Sequence, residues 1–360
     1  MQTQHDPWRL EVLRTDFSQA ALRRGAVPPL ADGQVRLHIE RLAFTANTMT
    51  YAAMGDQLAL WPLFPAQPGW GRIPAWGHAR VIESRADGVA EGALLFGLLP
   101  MSSHAILTVR PSRLGVRETS AHRAAVNPVY NQYALEAEDD EAALESKAAF
   151  HPLFITSFVL DLHLEEQDCY GADQVIVVSA SSKTALGFAF LQRGRLPALG
   201  LTSSRNLDWL QRIGLYGQVS RYEEAEEMAY GARCLVVDFS GDASLLDRLQ
   251  RALGARCVRL VKVGSTHGGR LEADAADDRV EAFSGPLNIE RRAREWGAAE
   301  FDRRLRGELA GFVAACGGSF ESRHADGADA LLEGYHALRR GELPASAMLI
   351  ARPNHAAEGR

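Results

Sequence analysis

The chain has 360 residues, 46% of them hydrophobic and 23% charged, with 45 acidic and 39 basic side chains giving a formal charge of −6. That length predicts two domains, since one compact unit commonly holds about 100 to 200 residues, and the composition suits a globular protein with sizeable cores. There is no large basic field to draw nucleic acid or anionic lipid and no apolar run long enough to cross a bilayer, so a small-molecule partner and a cytoplasmic location are expected.

From Arg9 to about Leu107, short β-type runs alternate with turns: RLEVLR, GQVRLHIERLAF, HARVIES, ALLFGLLP and HAILTV. Their even spacing predicts a small barrel or sandwich. Gly33 opens one strand, while Asp87-Gly88 and the loop PAQPGWGRIP mark turns. An acidic, solvated run at 138–145 precedes a change of texture. Strand and helix then alternate: strand 175–178, helix 183–192, strand 198–202, helix 206–213, short strand 218–220, strand 234–238, helix 244–253 and strand 257–263. This is the rhythm of a doubly wound parallel sheet. The segment 290–317 reads as helix, and a last helix at 328–340 leads into a strand at 347–351. The expected organisation is a β domain over 1–150, a nucleotide-type domain over 151–290, and a helical segment over 291–360 that returns to the first domain.

Cys169, Cys234, Cys257 and Cys316 are widely spaced and form no CxxC pair, which predicts reduced structural cysteines rather than a zinc knuckle or disulfide framework.

The stretch VIVVSASSKTALGFAFL, 175–191, runs from strand through a small-residue turn into helix. A P-loop would need glycines five residues before and immediately before its lysine, where Val178 and Ser182 stand instead. A dinucleotide turn also calls for glycines, and here Ser179, Ala180, Ser181, Ser182 and Ala185 supply small side chains, with Gly187 arriving late. The hydroxyls of Ser181, Ser182 and Thr184 can donate to a diphosphate at a helix N-terminus, and Lys183 adds a point charge. The same residues also fit a serine-capped helix with no ligand. In LTSSRN, Ser203 and Arg205 follow the second strand where a dinucleotide fold meets the adenosine ribose. Arg205 in place of an acidic residue suits a 2′-phosphate, hence NADP, although an arginine opening a helix is often simply solvated.

Together these features resemble the medium-chain dehydrogenase/reductase superfamily, in particular its zinc-free quinone-reductase-like branch, over almost the whole chain. GQVRLHIERLAFTANTMTY is similar to that family's opening, VIVVSASSKTALG to its glycine-rich turn, and ALLEGYHALRRGELPASAMLI to its closing helix and strand. More closely, YAAMGD, GWGRIPAWG, NPVYNQY, SASSKTA and VDFSG resemble a bacterial family designated a domain of unknown function. The resemblance implies a GroES-like β-barrel domain, a Rossmann-like doubly wound domain, and an interdomain crevice for the ligand. It further implies NADPH as cofactor, zinc-independent reduction of an activated alkene or carbonyl, and a homodimer. Asn47 matches the family's asparagine near the nicotinamide, and Thr156 in FITSF its interdomain threonine. Tyr51 stands where some reductases keep a tyrosine beside the substrate, so it is either the proton donor or a residue packed beneath the loop. The zinc-dependent branch would carry a cysteine and a Gly-His-Glu where this chain has Thr45-Ala46-Asn47 and Gly77-His78-Ala79; a lone His78 cannot fill three ligand positions, and no metal is expected.

Gly264, Ser265 and Thr266 follow a strand end that faces the ligand crevice of such folds. His267 in GSTHGG is a second candidate acid, or a loop histidine without that role. NPVYNQY, 127–133, offers Tyr130 and Tyr133 either as cleft-lining groups or as core aromatics, and the arginines of GPLNIERRAREWG either cover phosphates or solvate a helix face. Two other functions stay open: a non-catalytic NADP-binding regulator and, lacking a Gly-x-Ser-x-Gly elbow, a serine hydrolase built on Ser181 or Ser182.

Overall fold

The computed structural model describes residues 6–138, 140–263 and 277–355. In chain order, β1 (Trp8–Leu13), β2 (Asp16–Arg24) and β3 (Gln34–Phe44) precede α1 (Ala46–Ala53). Then come β4 (Trp70–Gly71), β5 (Pro74–Ser84), β6 (Leu94–Pro100), β7 (His104–Ser112), β8 (Gly115–Glu118), β9 (Gln132–Glu136) and the long α2 (Glu141–Glu166). The alternating region holds β10 (Gln174–Val178), α3 (Lys183–Gln192), β11 (Ala198–Thr202), α4 (Leu207–Ile213), β12 (Gln218–Arg221), β13 (Cys234–Asp238), α5 (Ala243–Leu253), β14 (Cys257–Lys262) and β15 (Val280–Ala282). Helices α6 (Gly285–Trp296) and α7 (Ala298–Cys316) follow, then β16 (Glu321–Asp326), α8 (Gly327–Arg339) and β17 (Ala347–Arg352). Two compact units result: unit 1 is Met1–Ala149, Glu321–Leu343 and Ala347–Arg360, and unit 2 is Phe150–Phe320 and Pro344–Ser346.

Unit 1 contains a closed six-stranded barrel in which β3, β5, β6, β9, β8 and β7 follow one another and β7 returns to β3. The alternation in β3 explains its seat in the wall: Val35, Leu37 and Ile39 are buried, while Arg36, His38 and Glu40 between them are partly exposed. One half of β3, Gln34–His38, pairs with β7, and the other, Leu42–Phe44, pairs with β17, which carries β16 at the sheet's edge. Gly97 lets the wall close over Tyr133, since a Cβ there would lie 2.3 Å from the tyrosine ring. A separate three-stranded sheet runs β2-β1-β4.

Unit 2 is a six-stranded, fully parallel sheet in the order β12-β11-β10-β13-β14-β15. Counted from β10, that is the 3-2-1-4-5-6 order of dinucleotide folds, with the direction of winding reversing between β10 and β13. Val175–Val178 and all of β13 are buried, as strands covered on both faces must be. The expected barrel and doubly wound sheet are both present.

Some elements differ from the sequence reading. The run at 138–145 is not simply solvated: Glu145 lies on the first turns of α2 and is buried, its carboxylate accepting from Ser322 Oγ at 3.0 Å and bonded to His324 Nε2 at 2.6 Å. Strands β2, β8, β9 and β16 were not anticipated: β2 and β16 are edge strands that expose most side chains and lack alternation, while β8 and β9, though inside the barrel wall, are only four and five residues long. The segment 290–317 is two helices, broken where Gly297 takes a φ of 80°. All four cysteines are free and buried. Among the described residues no helix is long and apolar enough to cross a membrane.

Candidate functional site

Most of the described candidate residues fall into one cluster in each unit. In unit 1, helix α1 starts straight after β3, and the Thr48 hydroxyl accepts from the Thr45 N–H at 3.3 Å to fix that start. Asn47 and Tyr51 lie four apart on one face, so Asn47 Nδ2 donates to Tyr51 Oη at 3.3 Å. Trp76 of β5 donates its indole N–H to the same oxygen at 2.9 Å. Tyr130 crosses Tyr51 edge to face at 6.0 Å between ring centroids, and the two hydroxyls are hydrogen-bonded. Both N–H donors use the oxygen's lone pairs, which leaves the Tyr51 proton to point at Tyr130 or at a ligand. Burial is the main cause that lifts the Tyr51 phenol well above its ordinary pKa, and it pushes Tyr130 to about 12. Tyr51 is therefore an acid held protonated at neutral pH, with donors already arranged around the oxygen that would become negative. Tyr133, by contrast, is a core residue, donating to the Leu98 carbonyl at 2.8 Å and accepting from Arg123 at 3.2 Å.

In unit 2 the second cluster sits at the C-terminal ends of β10, β11, β12 and β13. Ser179, directly after β10, has φ of 60°, a left-handed backbone that a β-carbon disfavours and that glycine normally supplies. Ser179 thus holds, as a serine, the left-handed backbone that a tight turn ordinarily assigns to glycine. Ser182 caps α3 by accepting from Ala185 N at 3.3 Å, which occupies its hydroxyl as an acceptor. Ser181 is buried and accepts from Thr202 Oγ1 at 3.1 Å and Asn206 Nδ2 at 3.0 Å, tying the turn to the end of β11. Tyr216 Oη donates to the Ala180 carbonyl at 2.9 Å beneath the turn. Gly187 answers for the missing helix-packing glycine: a Cβ there would meet Ser157 Oγ at 2.8 Å and Phe154 at 2.9 Å, so only glycine lets α3 lie this close to α2.

Lys183, expected to present its charge to a diphosphate, sits with Nζ 3.4 Å from the Ala345 carbonyl and 5.3 Å from the Phe320 ring centroid. Burial lowers its pKa to about 8. The Thr184 carbonyl accepts from Ser157 Oγ at 2.7 Å. Ser203 is partly buried and Arg205 is exposed at the end of β11. Tyr222, just after β12, hydrogen-bonds Ser179 and feels the Arg205 charge; burial is the larger influence and raises its pKa. Asp238 ends β13 fully buried, accepting from Ser240 N at 2.8 Å, Ser240 Oγ at 2.6 Å and Gly241 N at 3.1 Å, and its pKa is raised chiefly by burial.

Thr156 is on α2, and a Cβ on Gly285 would be 3.3 Å from its hydroxyl. Gly264, Ser265, Thr266 and His267 lie outside the described residues. His78 is fully buried in β5, its ring 5.0 Å from that of Phe96. The arginines of α6 are taken by carboxylates, Arg291 and Arg292 by Glu166 and Arg294 by Glu290, which favours the helix-face reading of GPLNIERRAREWG over a phosphate cover. Among the described residues no three His, Cys, Asp or Glu side chains gather in a way that could hold a metal ion. Sequence reasoning missed Trp76, Thr202, Asn206, Tyr216 and Tyr222. Trp76, Thr202 and Asn206 stood in stretches already singled out, GWGRIPAWG and LTSSRN; the two tyrosines carry no local signal.

The model of the family described as protein of unknown function (DUF2855) matches residues 42–344. The chain belongs to this family. A sequence search of curated proteins finds no match. Among solved structures, this DUF2855 member is similar to CurA from Vibrio vulnificus in complex with NADPH, with TM-score 0.66 and 11% identity over 97% of this chain and 100% of that one. It is similar also to JamJ enoyl reductase, at TM-score 0.59 and 12% identity over 97% and 100% of the two chains. A thermostable alcohol dehydrogenase from Pyrobaculum aerophilum aligns at TM-score 0.56 and 13% identity, again over 97% and 100%. At such identities the likeness establishes that the DUF2855 chain has their fold, which is the medium-chain dehydrogenase/reductase architecture read from the sequence.

Proposed function

We propose that the protein is a zinc-independent, NADPH-dependent reductase of an activated alkene or carbonyl compound. The observation that carries this reading is Ser179: its φ of 60° keeps the glycine backbone of a dinucleotide turn in a sequence that has replaced the glycine. A helix cap alone does not require that conformation. Support also comes from the fold shared with an NADPH complex and an enoyl reductase. The residues fit a dinucleotide. First-turn amides of α3 and the charge of Lys183 would hold the diphosphate, while Ser203 and Arg205, the latter exposed, would hold the 2′-phosphate.

The nicotinamide, when bound, supplies hydride to the substrate. This chain's contribution is the proton. Tyr51 holds one on Oη at neutral pH, and the oxygen left after its donation keeps the N–H groups of Asn47 and Trp76. Two N–H donors for one phenolate lower the cost of the transfer. A hydrolase reading has little support, since Ser181 is buried and Ser182 is used as a cap.

Titrating NADPH against NADH by tryptophan fluorescence tests the reading. The expected result is tighter NADPH binding, oxidation of NADPH by a member of a panel of enones, quinones and aldehydes, and a loss in Arg205→Ala that is larger for NADPH than for NADH. Binding without turnover across the panel would favour a nucleotide-sensing regulator. No binding of either nucleotide would overturn the proposal.

A further inference from the structure

The three-stranded sheet of unit 1 gathers three arginines, one from or beside each strand. Arg9 is on β1, Arg23 on β2, and Arg72 directly follows β4. Arg9 and Arg23 are partners in the antiparallel register, so two guanidinium side chains stand opposite each other on one face. Like charges in that position repel. Glu11, two residues along on the same face and fully buried, is the carboxylate they share. Its Oε1 takes Arg9 Nε at 2.9 Å and Arg72 Nη2 at 3.4 Å, while Oε2 lies 3.9 Å from Arg23 Nε. Among the described residues no other carboxylate pairs with any of the three.

Three positive charges therefore meet one negative charge. The excess is not buried away: the side chains of Arg9, Arg23 and Arg72 remain 32%, 39% and 23% exposed. The Nε atoms of Arg23 and Arg72 are nonetheless buried without a hydrogen-bond acceptor. After burial, the charge of Arg9 is the largest influence on Arg72, and both hold its pKa below the ordinary value despite Glu11. Arg23 also lies over the Trp70 ring at 4.8 Å, which fixes its plane. A purely structural role, neutralising Glu11, needs one arginine. Three, with two placed in mutual repulsion, make the geometry of an oxyanion clamp that lacks its anion's charge.

We propose that Arg9, Arg23 and Arg72, gathered on Glu11, form a binding site for a phosphate group. The guanidinium forks supply several N–H donors in planes that suit a tetrahedral oxyanion, and a phosphate dianion balances the two uncompensated charges. The group can arrive as free phosphate or as a phosphomonoester carried by a larger molecule.

The test is calorimetric titration of the full chain, at low ionic strength, with inorganic phosphate and separately with phenyl phosphate. One saturable site is expected, weakened about tenfold or more in Arg23→Gln and in Arg72→Gln, the loss of one charge-assisted hydrogen bond each. Tighter binding of phenyl phosphate identifies a monoester as the source, and equal binding identifies free phosphate. Glu11→Gln checks the location of the site: removal of the competing carboxylate should tighten phosphate binding, whereas an affinity unchanged in that variant would place the phosphate away from these arginines and count against the clamp. Circular dichroism confirms that each variant is folded, and if one is not, the other two decide. Absence of a saturable site in the parent protein, or affinity unchanged in both arginine variants, overturns the proposal. The latter outcome would move any phosphate binding to the turn of unit 2.

Discussion

Tyr51 and Lys183 are each governed by burial, with opposite consequences. For Tyr51, burial keeps the proton on, and two N–H donors stand ready for the oxygen that loses it. In an assay with whichever substrate the panel reveals, Tyr51→Phe should lower kcat about a hundredfold while leaving NADPH affinity unchanged. Tyr130→Phe, which keeps the ring but removes the hydroxyl whose bond and charge raise the Tyr51 pKa, should cost less and move the alkaline limb of the pH profile to lower pH. An unchanged rate in Tyr51→Phe would return the tyrosine to a packing role. For Lys183, burial takes the proton off, with a pKa of about 8 in the folded chain. Below that pH the ammonium is charged and can attract a diphosphate, so NADPH affinity should weaken as pH rises through about 8, and Lys183→Met should bind more weakly with a flat profile over the same range. Stability runs the other way. Because the unfolded lysine keeps its proton up to about 10.4, the unfolded state binds more protons between about 8 and that value, and this residue's burial penalty is relieved as pH rises across the window.

The elements that shape the nucleotide turn make their own predictions. Gly187→Ala would force a Cβ into Ser157 and Phe154, separating α3 from α2, and should destabilise the protein by about 1 to 3 kcal/mol in urea melts. Ser179→Gly relieves a left-handed serine and should stabilise by about 1 kcal/mol, with nucleotide binding retained. If Ser179→Gly is destabilising, the hydroxyl's bond with Tyr222 outweighs the backbone strain. At this scale much was legible in advance. α3, β11 and β13 run over the residues that periodicity and capping indicated, because the pattern of burial in a strand covered on both faces, or in a capped helix, is written along the chain itself. Edge strands escaped notice for the converse reason. β2 and β16 bury little, and their pairing energy lies in backbone hydrogen bonds that leave no hydrophobic imprint.

For the whole molecule, stability should fall in mild acid. His38 and His104 face one another across β3 and β7, ring centroids 5.4 Å apart, and burial first, then mutual repulsion, lowers His104 to about 4. An unfolded histidine takes a proton near pH 6.5, so stability present above that value is lost as pH falls from about 6.5 to 4. Discounted for the solvent screening of a half-exposed ring, the loss should be about 1 to 2 kcal/mol in denaturant titrations, and His104→Gln should flatten it. A slope unchanged in that variant would assign acid sensitivity elsewhere. What the amino-acid order determined by itself is the architecture: alternation in β3, the strand-and-helix rhythm after residue 174, and small residues where a dinucleotide turn needs close approach. These are local signals, repeated every two to four residues. Tertiary structure alone decided which side chains meet. Trp76 reaches Tyr51 because the barrel's register brings β5 to α1, Ser179 takes a glycine's φ because strand and helix are held by their neighbours, and Arg9, Arg23 and Arg72 surround Glu11 because three strands pair in one sheet. Contacts between residues far apart in the chain depend on closure and register, which no single stretch of sequence encodes.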